Sequence, residues 1–335
     1  MPKFLFVRLS SIGDIVLTSP VVRCTKLQVP EADIHFITKA AFRNVVENNP
    51  YISKVLIWEE VEKDGFCGLR KEKYNAVIDL HNNLRSFRLK VNLFGIRSYS
   101  FPKLNFRKYL MVRFKINMLP DEHIVDRYFD AVKKLGVEND GSGLDYFIGQ
   151  EGTKSFTNFA ALNQLPNQFV ALCIGAQHAT KRMPNARLAE LINLLDLPVI
   201  LLGGSADREQ ANEIKALVGS NRVFDACGAL SLDGSATALQ LAAIVITHDT
   251  GLMHIAAALG KPIISIWGNT VPQFGMYPYR KNESQVSIMA EVKGLSCRPC
   301  SKIGFKSCPK GHFNCMIQQD LKWIAQQANK ITSTI

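Results

Sequence analysis

Residues 244–260 read IVITHDTGLMHIAAALG, and the two halves of the stretch carry different signals. IVITHD is a short unbroken apolar run ended by an acid, the pattern of a strand buried on both faces. LMHIAAALG is rich in alanine and leucine and continues as a helix. Between them Asp249, Thr250 and Gly251 form a strand-to-helix turn. The first N–H groups of a helix have no intrahelical partner, and the positive end of the macrodipole converges on them, so such a turn accepts phosphate. The residues alone leave a second reading open, in which Thr250 caps a core helix and His254 packs inside.

The same alternation extends outward in both directions. PIISIWG (262–268) supplies the next strand. Upstream lie the helix SLDGSATALQLAA (231–243), with Ser231 placed to cap it, the strand RVFDA, the helix ADREQANEIKALVG (206–219), the strand PVILLGG (198–204), the helix NARLAELINLLD (185–196) and the strand FVALCIGA (169–176). The first half repeats the theme. KFLFVRL (3–9) is a strand, Ser10-Ser11-Ile12-Gly13-Asp14 a polar turn, and a helix follows with Ile15, Val16, Val21 and Val22 on its apolar side. Further strands are read at 34–38, 55–58 and 76–80. Two successive β/α sets predict an α/β protein of two Rossmann-like domains. The polar stretch 149–168 is the expected boundary, giving domains 1–155 and 156–335, with a C-terminal helix (about 318–332) packing back on the first.

Composition agrees with this division. A chain of 335 residues that is 47% hydrophobic and 21% charged is long enough for two cores and is neither a disordered chain nor a polytopic membrane protein. No apolar run reaches the roughly 18 residues that span a bilayer, and Arg8 and Asp14 interrupt the apolar start before any cleavage site. The expected location is the cytoplasm, where eight cysteines are thiols or metal ligands rather than disulfides. The formal net charge of +11 calls for an anionic partner. Neither domain's first strand is followed by Gly-x-Gly-x-x-Gly, which counts against a nicotinamide oxidoreductase.

The stretch Asp249, Thr250, Gly251, Leu252, Met253, His254 followed by IAAALGKP resembles the donor-site motif of the bacterial heptosyltransferases, glycosyltransferase family 9. SSIGDIVLTSP (10–20), LLGGSADREQA (201–211), GALSL (228–232) and the late Cys-rich segment extend the resemblance in order over nearly the whole chain. It implies the GT-B architecture, two Rossmann-like domains facing a central cleft, with the acceptor bound by domain 1–155 and the nucleotide-sugar by domain 156–335. It also implies an inverting transfer of heptose from ADP-heptose to a lipopolysaccharide inner-core acceptor, at the cytoplasmic face of the inner membrane. Asp14, beside Gly13, matches the family's proposed catalytic base, and Lys181 a family lysine. The chain contains no Asp-x-Asp, so no metal cofactor is expected in catalysis, and the charge on the departing diphosphate falls to Lys181, with Arg182 as its alternate. The family's threonines before that lysine are replaced by Gly175-Ala176-Gln177, which makes Gln177 a substitute donor contact. Asp207 is the expected partner of the ribose hydroxyls, and Leu230 of the base.

Two features stand apart. Between Leu84 and Lys115 nine cations, among them Arg85, Arg88, Lys90, Arg107 and Lys108, occur with seven aromatics and no acid. This mixture suits a phosphorylated lipid at a membrane surface and, falling in the expected acceptor domain, is read as the patch for an anionic lipid-linked glycan acceptor, the plainer alternative being scattered cations on a solvated face with the aromatics in the core. It also suits single-stranded nucleic acid, which makes a nucleic-acid-binding protein the alternative of another class, although no nucleic-acid partner is expected. Cys297, Cys300, Cys308 and Cys315 could close a structural zinc site or remain reduced thiols, with a structural role in either case.

Overall fold

The computed structural model describes residues 1–281 and 284–333. They pack as two units, one of residues 1–104 and 122–147 and one of residues 105–121 and 148–335. The first unit holds five strands, β1 (Lys3–Val7), β2 (Asp33–Thr38), β3 (Lys54–Ile57), β4 (Ala76–Asp79) and β5 (Arg97–Ser100), in the order β3-β2-β1-β4-β5. The second holds β6 (Val170–Cys173), β7 (Val199–Leu202), β8 (Val223–Asp225), β9 (Ile244–His248), β10 (Ile263–Trp267) and β11 (Ser287–Glu291), in the order β11-β10-β9-β6-β7-β8. Every pairing in both sheets is parallel. Helices and turns that return the chain over the faces bury the central strands, which explains their unbroken apolar sequences. Leu5, Val7, Ile37 and Val77 anchor the first core, and Val170, Leu172, Val199, Leu201, Ile244, Ile246, Ile264 and Ile266 the second.

Each sheet has one place where the chain's direction of travel reverses. β1 lies between β2 and β4, and β6 lies between β7 and β9. The loops leaving the carboxyl ends of the two strands at such a point diverge to opposite faces and open a crevice, the usual ligand position in a doubly wound sheet. The turn after β1 carries Asp14, the loop after β6 carries Lys181, and the turn after β9 carries Asp249 to Gly251.

Several expectations change. The strands β5 (RSYS) and β11 (SIMAE) are edge strands, half exposed and without an apolar run, and sequence periodicity passes over both. The helix after the first turn is two helices, Ile12–Val16 and Ser19–Gln28, with Pro20 in the first turn of the second, where its missing N–H costs nothing. The stretch read as a boundary contains the helix Gln150–Leu162. A Cβ at Gly152 would lie 2.3 Å from the Asp233 Cβ, so glycine lets this helix pack closely on Leu232–Leu241 within the second unit. The division therefore falls after Phe147 rather than at 155. The helix Asn105–Phe114 also belongs to the second unit, where Met111 packs with Val271 and Phe274. The C-terminal helix Leu321–Thr332, expected on the first domain, instead buries Leu321, Ile324, Ala325 and Ala328 in the core of the second.

Candidate active site

In the first unit, an arginine follows β1 directly. Arg8 is buried, and its guanidinium forks to four groups: the Ser10 carbonyl (2.9 Å), the Leu80 carbonyl (2.5 Å), the Tyr128 hydroxyl (3.0 Å) and the Asp14 carboxylate (2.5 Å). Burial opposes the guanidinium's charge, but Asp14, Tyr128 and Asp79 outweigh it and hold its pKa above the ordinary value. Asp14 is the third residue of the helix Ile12–Val16, and its carboxylate also accepts from the Ser11 N–H (3.2 Å) and Ser11 Oγ (2.8 Å). The carboxylate thus closes the helix N-terminus and pairs with Arg8 at once. Its side chain remains 23% exposed, so solvent reaches it. Gly13 beside it is buried. His81, on the turn after β4, is pushed down to about 4 by burial and by Arg8, so it adds no charge. Arg8, His81 and Tyr128 were not read from the sequence as site residues. The available signal was Arg8 itself, a cation at the end of an apolar run, two residues before a Ser-Ser-x-Gly-Asp turn.

In the second unit, Cys173 of β6 lies opposite Thr247 of β9, so the loops leaving these strands start side by side. They meet at an ion pair, Lys181 Nζ to Asp249 Oδ2 at 2.6 Å, with the ammonium also 3.3 Å from the Asp249 carbonyl. Thr270, after β10, donates to the same carboxylate oxygen at 2.8 Å. Lys181 and Asp249 keep 17% and 13% of their side-chain surface, enough to meet a ligand. Thr250 is the N-cap residue of the helix Gly251–Ala258, yet its hydroxyl makes no capping bond and lies 3.4 Å from Thr247 Oγ1. The N–H groups of Gly251 and Leu252 therefore have no side-chain cap, beside a lysine, in the sheet's crevice. His248 is fully buried, and burial with Arg182 nearby pushes its pKa down to about 4. Neutral, its Nε2 accepts the Met183 N–H at 3.1 Å and pins the loop that carries Lys181.

Other expected contacts lie elsewhere. Asp207 is buried at 6% exposure, pairs with Arg182 at 3.0 Å and accepts the Gly204 N–H at 2.9 Å. A Cβ at Gly175 would sit 2.4 Å from its Oδ2. This carboxylate braces three loops instead of presenting itself to a ribose. Arg182 is bound to Asp207 and to the Ala176 carbonyl, so of the two cations Lys181 is the one held at the Asp249 turn. Leu230 and His254 are buried, the latter at 2%, and Gln177 is exposed on the loop after β6.

The basic segment is divided between the units, with Arg85, Arg88 and Lys90 in the first and Arg107 and Lys108 in the second. Lys90 is spent on the buried Asp79 (2.9 Å), Arg88 pairs with Glu62 (2.7 Å), and Lys108 lies 5.9 Å from the Phe274 ring centroid. Arg85 and Arg107 are exposed.

All eight cysteines are free, and among the described residues no three His, Cys, Asp or Glu side chains converge to hold a metal ion. The Cys-rich segment instead supports the crevice loops. Arg298 donates to the carbonyls of Gly268, Val292 and Thr270, and Phe305 exchanges hydrogen bonds with Thr180 beside Lys181. Gly304, at φ +130, is where this segment crosses His178, whose Cβ would lie 2.4 Å from an added Cβ.

Two parallel-sheet α/β units of this kind make the GT-B fold class, and similar solved structures share it. Residues 66–303 match glycosyltransferase family 9 (heptosyltransferase), and the chain belongs to that family. It is 24% identical over 305 residues to lipopolysaccharide heptosyltransferase 2 of Escherichia coli (strain K12), a match covering 81% of this chain and 84% of that protein. Its fold is similar to that of a family 9 glycosyl transferase from Veillonella parvula DSM 2008, with TM-score 0.79 and 21% identity over 100% of this chain and 98% of the other. It is also similar to that of the E. coli ADP-heptose lps heptosyltransferase II, with TM-score 0.74 and 20% identity over 99% of each chain.

Proposed function

We propose that this glycosyltransferase moves heptose from ADP-heptose to the inner core of lipopolysaccharide, by an inverting and metal-independent displacement at the cytoplasmic face of the inner membrane. The observation that carries the reading is the Lys181–Asp249 pair at 2.6 Å beside the uncapped N-terminus of Gly251–Ala258. A cation and free N–H donors at a sheet switch point are what a nucleoside diphosphate requires. The named activities of the relatives supply the sugar and the acceptor.

In this reading Asp14 accepts the proton of the acceptor hydroxyl as its oxygen attacks the anomeric carbon. The bond from that carbon to the diphosphate oxygen breaks, its electron pair leaves with ADP, and one displacement inverts the configuration. Lys181 and the N–H groups of Gly251 and Leu252 meet the charge that develops on the diphosphate. The test incubates the purified protein with ADP-heptose, or with UDP- and GDP-sugars, and heptose-deficient lipopolysaccharide in EDTA. Heptosylated product from the ADP donor alone, with the anomer inverted by NMR, supports the proposal. Transfer only from another donor, or activity abolished by EDTA and restored by a divalent cation, contradicts it.

A further inference from the structure

The helix Leu84–Asn92 of the first unit is apolar on two opposite sides. Ser86 and Leu89, with Leu93 at its end, are buried and face the core. At about 100° per residue, Leu84, Phe87 and Val91 fall on the reverse side within a sector of roughly 60°, and Phe94 follows just beyond the helix end. These four are 82%, 58%, 57% and 95% exposed. Single exposed apolar residues are ordinary, but a stripe of four on one helix face is not. Its flanks are basic. Arg85 and Arg88 lie along one side, Arg88 paired with Glu62 at 2.7 Å, and Lys90 along the other, paired with the buried Asp79 at 2.9 Å, while Arg70 donates to the Asn92 carbonyl and Oδ1, each at 3.0 Å. Arg85 and the exposed Arg97 have no ion pair among the described residues. Asn83 caps the helix through the Arg85 and Ser86 N–H groups, so the stripe rests on a fixed element.

We infer that this helix is an interfacial anchor, seating Leu84, Phe87, Val91 and Phe94 below the headgroups of an anionic bilayer while Arg85 and Arg97 meet lipid phosphates. An apolar face bordered by cations is the composition that lies in the plane of such an interface. No helix among the described residues is long and apolar enough to cross a membrane, so attachment by this route is peripheral. The inference rests on the reading that the acceptor is lipid-linked, and gives that acceptor's membrane a specific place on the protein.

The test is co-sedimentation of the full chain with vesicles of phosphatidylglycerol and phosphatidylethanolamine, and with neutral phosphatidylcholine vesicles. Wild type is expected to sediment with the anionic vesicles only, and less so in 0.5 M salt. Phe87→Ser with Phe94→Ser should weaken vesicle binding by about tenfold or more, and Arg85→Gln by about fivefold. Both phenylalanines are exposed, so the double variant should keep its melting temperature and its turnover on detergent-dispersed acceptor. Absence of wild-type binding, undiminished binding by the double variant, or a dimer that this variant dissolves in place of vesicle binding overturns the inference. Vesicle binding without heptosyl transfer would leave the anchor standing and defeat the reading of function. Transfer to detergent-dispersed acceptor without vesicle binding would do the reverse.

Discussion

Replacing Lys181 by alanine tests the diphosphate site. The ammonium sits 2.6 Å from Asp249 Oδ2, and a charge-assisted hydrogen bond of this kind to phosphate is worth about 1.5–3 kcal/mol. Two effects set where in that range the variant falls. Lys181 must share or surrender Asp249 when a diphosphate arrives, which reduces its net contribution. Lys181→Ala also leaves the Asp249 carboxylate facing the incoming anion with no cation between them, which raises the loss. Together they place the decrease in ADP affinity between about tenfold and a hundredfold. Thr270 still donates to Asp249 at 2.8 Å, so the cost in folding should stay on the order of 1 kcal/mol. Isothermal titration with ADP at about 0.15 M ionic strength, where exposed charges are screened but a crevice pair is not, reads the difference. An affinity within twofold of wild type, with the melting temperature unchanged, would refute the reasoning.

Arg8→Lys keeps the charge and loses the fork. A lysine serving Asp14 and one carbonyl leaves about two of the four partners unmatched, a loss of roughly 3 kcal/mol, or about 10 °C in the melting of the first unit. Turnover should fall further than that stability loss accounts for, because Asp14 loses its support; a melting shift under 2 °C with normal turnover would contradict the assignment. Acid should weaken the fold in a defined window. Asp140 is held down to about 2, first by its hydrogen bond from Arg23, and Glu72 to about 2 by those from Lys3 and then Lys54, against 3.8 and 4.5 for the free groups. Because the folded values are the lower ones, their stabilisation is complete above about pH 4.5 and disappears as pH falls toward 2. Urea midpoints should decline across that window, with Arg23→Gln flattening part of the decline, and a midpoint constant from pH 5 to 2.5 would count against both pairs.

The central strands were legible because a parallel sheet covered on both faces writes itself as uninterrupted apolar runs, from KFLFV to IISIW. RSYS and SIMAE were not, since an edge strand needs only one neighbour and tolerates polar and exposed positions. The places of Asp14, Lys181 and the Asp249 turn were legible for a related reason: each lies in the connection after a strand, and the strands were readable. What local sequence does not encode is which way a polar side chain turns. Asp207 follows a Gly-Gly-Ser turn as a ligand-binding acid could, but glycines at 175 and 203 let the backbone close around it, and Arg182 neutralises it inside. Lys90 likewise reads as one of nine free cations until the sheet brings Asp79 to it. The helix Asn105–Phe114 shares the composition of the segment before it, yet Met111 finds its core in the other unit. That contact joins residues about 160 positions apart, beyond any local pattern.

The most direct test of the account is Asp14→Asn, which keeps the side chain's size and removes its capacity to accept the acceptor proton. Initial rates of heptosyl transfer from ADP-heptose and ADP titrations should be measured on the same preparation. The rate is expected to fall by about a hundredfold to ten-thousandfold, the range of a lost general base, with ADP affinity within threefold of wild type. A variant that transfers heptose at a rate near wild type would contradict it.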